Sequence, residues 1–221
     1  LTAGLNVGAD MTENVSAFIR LASERTLGTS GTANGDFDIS QAWVKFKELF
    51  YSPLTVTVGT QPLWWGRGLV LGSNLYPSLL SSGSFAGGDR NNSIVANQFT
   101  DFTAFDAVKV DLDLAGMAPA SLPINIQYVY TKLDENTAGL NDDVNLQGVN
   151  VSARFDEMNS EVETYYLNKR DRSLIASSAT ESINSGSIST WGIRGSTQPV
   201  EGAYLYTELA LQHGPKGAEL D

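Results

Sequence analysis

The chain has no cysteine and a single histidine among its 221 residues. Without thiols there is no disulfide framework, no thiolate metal site and no thiol nucleophile, so structure rests on packing alone. Cationic side chains are also scarce: 14 Lys+Arg stand against 25 Asp+Glu, a formal net charge of -11. Such a chain repels a phosphate backbone instead of neutralising it, which sets nucleic acid aside as a partner. No run of about 18 apolar residues occurs, which excludes a transmembrane helix, whereas a transmembrane strand needs only about 9 to 11 residues. The length suits one all-β domain or a piece of a larger barrel, and the composition matches neither disorder nor collagen.

What the sequence does have is a period of two. Val15, Ala17, Ile19 and Leu21 alternate with Ser16, Arg20 and Glu24; Val108, Val110, Leu112 and Leu114 alternate with Lys109, Asp111 and Asp113. Ala203, Leu205, Thr207, Leu209 and Leu211 alternate in the same way with Tyr204, Tyr206, Glu208 and Gln212. Ten strands are expected, near residues 1–10, 14–26, 38–49, 53–62, 103–115, 123–133, 143–155, 160–169, 189–197 and 202–213. Their connections alternate. Short ones at 11–13, 50–52, 116–122, 156–159 and 198–201 are interleaved with longer, Gly-, Ser-, Asn- and Asp-rich ones at 27–37, 63–102, 134–142 and 170–187. That rhythm belongs to an all-β, antiparallel up-and-down transmembrane β-barrel with short turns at one end and long loops at the other. A single domain over 1–221 is expected.

Alternation alone does not say whether the apolar face meets a protein core or lipid. The apolar phase carries no Asp, Glu, Lys or Arg in the central part of any expected strand, where a lipid-facing charge would cost about 2–4 kcal/mol. Its aromatic residues collect at strand ends: Tyr128, Tyr130, Tyr166 and Trp191 toward the long loops, Phe46 and Phe155 toward the short turns. Such rings suit a lipid–water boundary and form the aromatic girdles of outer-membrane barrels. The opposite phase holds Arg20, Lys45, Lys47, Lys109, Arg154 and Arg194 with Glu24, Asp111, Asp113, Glu161, Glu163 and Glu208. Unpaired burial of charge is prohibitive, so these residues are expected to line a hydrated lumen.

Residues 41–74 add a family likeness: Ala42, Trp43 and Val44, a turn, then Pro53, Leu54 and Val56, and finally Gly59, Thr60 and Gln61 before a glycine-containing segment. This stretch resembles the alginate-export porin family of bacterial outer membranes, and residues 104–114 and 204–221 look similar. The resemblance implies a large antiparallel barrel that passes a solute across the outer membrane, and it implies that strands are missing at both ends of the ten expected here. Where that family commonly has Arg between the Gly and the Gln this chain has Thr60, and its lumen phase is balanced in sign. A polyanion needs a cationic path, so small polar or sugar-like solutes are the expected cargo.

Other chemistry reads weakly. Asp111 with Asp113, and Glu161 with Glu163, could divide acid and base roles in a barrel-borne hydrolase, but period-two charge is the ordinary pattern of a wet face. Asp134, Asn136, Gly139, Asn141, Asp142 and Asp143 lack the spacing and closing Glu of a calcium loop; weak divalent binding in the outer loops is the most they suggest. His213 has no Ser or Cys partner pattern, and no catalytic residue, metal site or cofactor is expected. The connection 63–102 opens with Trp64, Trp65, Gly66, Arg67 and Gly68. A connection of that length is often functional; the expectation is a loop that folds inward and narrows the lumen, with Arg67 and Arg90 facing the acidic wall. The overall expectation is a non-enzymatic porin in the outer membrane, whose partners are the bilayer and small polar solutes, with a homo-oligomer or an envelope-protein complex left open. The alternative is a soluble β-sandwich, a carbohydrate-binding or adhesin module using Trp64, Trp65 and Tyr204.

Overall fold

The computed structural model describes residues 2–24, 37–49, 53–72, 104–115, 123–134, 143–155, 159–172, 174–177, 180–183 and 186–214. Among them are twelve strands and no α-helix. They are β1 (Thr2–Thr12), β2 (Val15–Glu24), β3 (Asp38–Phe46), β4 (Leu54–Gln61), β5 (Phe105–Asp113), β6 (Ile124–Asp134), β7 (Val144–Phe155), β8 (Ser160–Asp171), β9 (Leu174–Ser177), β10 (Thr180–Ile183), β11 (Gly186–Val200) and β12 (Ala203–His213). Ten form a single sheet in the order β1-β2-β3-β4-β5-β6-β7-β8-β11-β12, while β9 and β10 pair only with each other. The fold is all-β, and the described pairings are antiparallel, between sequence neighbours except for β8 and β11, which the β9–β10 hairpin separates in the chain. No described helix could cross a membrane, which leaves crossing by strands untouched.

Two compact units divide the chain, Leu1–Val108 and Lys109–Asp221. In the first, β1 turns into β2 at Glu13 and Asn14, where the Asn14 amide donates to the Thr12 hydroxyl at 3.3 Å. Gly59 on β4 has φ +122°, and a Cβ there would lie 2.2 Å from the Ala42 carbonyl oxygen, so only glycine lets β3 and β4 approach. The second unit runs from Lys109, within β5, through β12, with Gly202 at φ +84° closing the β11–β12 turn.

The ten strands of the sheet lie where the period of two puts them; the expected 143–155 and 160–169, for example, are β7 and β8. Two features differ. The strand expected at 189–197 runs from Gly186 to Val200, fifteen residues. The connection 170–187, expected as a loop, contains the β9–β10 hairpin, whose four-residue strands are too short to show a period. The sandwich alternative requires a second full sheet over the apolar face. Among the described residues the only other sheet is that two-stranded hairpin.

Candidate functional site

On β6, β7, β8, β11 and β12 of the second unit, cross-strand register sorts one face into horizontal rows about 7 Å apart along the strands. An aliphatic row runs Ile126, Val151, Thr164, Ile193, Leu209, and above it an aromatic row runs Tyr128, Val149, Tyr166, Trp191, Leu211. Next, toward the long connections, come Tyr130, Gln147, Asn168, Ser189 and His213, then Lys132, Asn145, Arg170 and Ser187. These hydrophobic side chains are uncovered: Ile193 is 53% exposed, Trp191 60% and Leu211 77%. The Tyr166 and Trp191 rings lie 4.5 Å apart, the Tyr166 hydroxyl meets the Ser189 hydroxyl at 3.1 Å, and Asn168 donates to Ser187 and Ser189 at 2.8 and 3.1 Å. Tyr130 donates to Asn145 at 3.2 Å.

The reverse face of the same strands is the buried one. Val129, Leu146 and Leu167 are buried toward the long-connection end, beside Tyr165 at 1% exposure and Glu163 at 6%. Glu163 survives there because it is paired: Asn150 donates to one carboxylate oxygen, and Arg194 Nη1 reaches the other at 3.0 Å. The same Nη1 lies 3.2 Å from Glu161, which Arg154 approaches at 3.7 Å. Tyr165 lays its ring over Gly192, where a Cβ would sit 2.0 Å from the ring, and donates its hydroxyl to Glu208 on β12 at 2.8 Å. On β5 and β6, Asp111 accepts from Gln127 and stands 3.8 Å from Lys109. Asp113 accepts from the Ala115 amide at 2.9 Å, so each carboxylate of the Glu161/Glu163 and Asp111/Asp113 pairs has a donor in or next to the sheet.

In the first unit, Phe18 and Trp43 stack in register with centroids 5.2 Å apart, and Lys45 sits 5.2 Å above the Trp43 ring. The Arg20 guanidinium lies across Gly4. Gln61 folds back on the sheet, donating to the carbonyls of Thr57 and Ala107, each at 3.0 Å. Beyond it, residues 63–72 form a tight turn instead of an open loop: Trp65 N–H donates to Leu71 O at 2.9 Å, and Trp64 bridges Gly72. Trp65 is 2% exposed and packs as core with Leu63 and Leu71, while Trp64 lies against Gly68 and stays half-exposed. Arg67 is exposed on this turn; Arg90 and the calcium-like stretch 135–142 lie outside the described residues.

The charged residues read from the sequence as lumen-lining share the inner phase of their strands, except Lys47, which follows β3, and Glu24, whose side chain lies outside the described residues. One expectation changes. A hydrated lumen wall is the expectation for these charges, but Glu163 is 6% exposed and pairs with Arg194, and the buried Val129, Leu146 and Leu167 share their face. Sequence reasoning missed the Tyr165–Gly192 contact and the Phe18–Trp43 stack; an aromatic on the polar phase beside a facing glycine or aromatic is the available signal. Of the aromatic residues expected as a girdle, all on the opposite phase, Phe155 and Phe46 stand at the short-turn ends of β7 and β3, but Tyr128, Tyr166 and Trp191 stand midway along β6, β8 and β11, with Tyr130 one row nearer the long connections, because β8 and β11 run on to Asp171 and Gly186. Among the described residues no group of three or more His, Cys, Asp or Glu could hold a metal.

No family model and no curated relative matches the chain. Among solved structures it is similar to OmpT, an outer membrane protein of Vibrio cholerae, refolded in vitro: 11% identity, 96% of this chain and 68% of that one, TM-score 0.40. A loop L8 deletion mutant of the same protein aligns over 96% of this chain and 74% of that one, with 11% identity and TM-score 0.41.

Proposed function

We propose that this chain spans a bacterial outer membrane as part of a β-barrel channel through which small polar or sugar-like solutes diffuse passively, without a catalytic step. One observation carries the reading: the second unit is inverted relative to a water-soluble sheet. Val149, Val162, Trp191, Ile193, Leu209 and Leu211 are exposed on one face, while Glu163, Arg194, Asn150 and Tyr165 stand on the other beside the buried Val129, Leu146 and Leu167. In water that arrangement leaves a large apolar surface uncovered; in hydrocarbon the same surface is solvated and the polar face encloses the water path. From Phe155 to Val149 the exposed phase of β7 covers about 20 Å along the strand, the scale of a barrel's apolar band.

The test is insertion. Refolded into detergent and added to a planar bilayer, the chain should give discrete conductance steps, and vesicles containing it should swell in an isosmotic small sugar. A chain that stays monomeric in buffer without detergent and gives no steps would sink the proposal.

A further inference from the structure

The exposed face of the second unit is not uniformly apolar, and its top row has a chemistry of its own. Lys132, Asn145, Arg170 and Ser187 stand in register across β6, β7, β8 and β11, two rows above the Tyr166–Trp191 pair. Between them, Tyr130, Asn145, Asn168, Ser187, Ser189 and Tyr166 are tied together by hydrogen bonds of 2.8 to 3.2 Å. Tyr130 and Asn168 spend their donors within this belt. Arg170 stands outside it, exposed and, among the described residues, without an ion-pair partner. Lys132 is partly offset by Asp143 at 3.1 Å.

From these rows we infer that the top of this face is a docking surface for the phosphate of an anionic membrane lipid, with Arg170 as the principal contact and Lys132 as the second. The inference rests on the membrane reading above. Aliphatic, aromatic, amide-and-hydroxyl and cationic side chains succeed one another in the order in which a bilayer passes from hydrocarbon to headgroup. Tyr and Trp prefer the boundary level, so a cation two rows higher, about 13 Å along a tilted strand, meets the phosphate layer. A planar guanidinium binds phosphate oxygens in pairs, and Asn145 and Ser187 flank it in register. The cations are not needed to hold the sheet together; their strands pair through the backbone regardless.

Trp191 offers the probe. The full chain is inserted into phosphatidylcholine vesicles, and quenching of its tryptophan emission by brominated phosphatidylglycerol is compared with quenching by brominated phosphatidylcholine, a Trp191→Phe variant supplying the background. The expected preference for the anionic lipid is about fivefold per cation. It should fall to near one in Arg170→Gln/Lys132→Gln, persist in Arg154→Gln on the inner face, and rise in Asp143→Asn. Unchanged phosphatidylcholine quenching in the double variant shows that its fold is kept. Equal quenching by both lipids in the unmodified chain overturns the inference, as does a preference that survives the double substitution. A stable dimer abolished by Arg170→Gln, with no lipid preference, overturns it too and gives the face to a second copy. Failure to insert into either vesicle removes the channel reading instead, which the conductance measurement registers independently.

Discussion

Gly192 and Gly195 stand three residues apart on β11 and face opposite ways. A methyl at Gly192 would meet the Tyr165 ring at 2.0 to 2.5 Å, whereas nothing lies within 4 Å of a Cβ at Gly195. Gly192→Ala is therefore expected to cost about 1–3 kcal/mol through overpacking. Gly195→Ala should be neutral or gain a few tenths, since a strand glycine carries an entropic penalty. Urea unfolding midpoints of the two variants in one lipid decide the matter, and equal midpoints would mean that Tyr165 does not lie over Gly192. None of this was visible in the sequence, where both residues are glycines in a strand. Only the cross-strand register that brings Tyr165 to Gly192 separates them.

At the scale of a strand, depth along the apolar phase is the variable. Ile193 sits in the aliphatic row and Asn168 two rows higher, beside the belt of hydroxyls and amides. A lysine near the bilayer midplane costs about 2–4 kcal/mol and one near the interface about 0–1. Ile193→Lys should therefore lower the unfolding free energy in vesicles by that larger amount and Asn168→Lys scarcely at all; similar costs would rule out lipid contact on this face. The strands themselves were legible because the period of two is a property of each segment alone. The β9–β10 hairpin and the turn after β4 were not, since four-residue strands and a glycine-rich WWGRG stretch carry no period, and Trp65 is core only because the chain doubles back at Gly66 and Gly68.

Over the second unit as a whole, the inner phase carries Asp111, Asp113, Glu161, Glu163, Asp171 and Glu208 against Lys109, Arg154, Lys169 and Arg194. A water path along that wall should favour cations, because fixed charge of one sign raises the local counter-ion concentration. Glu161→Gln/Glu208→Gln should move the reversal potential in a KCl gradient toward zero while conductance steps persist. A potential that does not move would place those carboxylates outside the permeation route. Their sign and phase were readable from the sequence; the sharing of one guanidinium between Glu161 and Glu163 was not.

Alternating side chains commit each segment to a strand with two unlike faces, and they identify which residues belong together on each face, since that information is local. Which of those residues touch depends on register between segments far apart in the chain, on the turns that set it, and on the glycines that let a ring or a neighbouring strand come close. Burial followed from the same source: Glu163 and Arg194 read as separate charges one at a time, and become an ion pair with Glu163 buried only when β8 and β11 lie side by side.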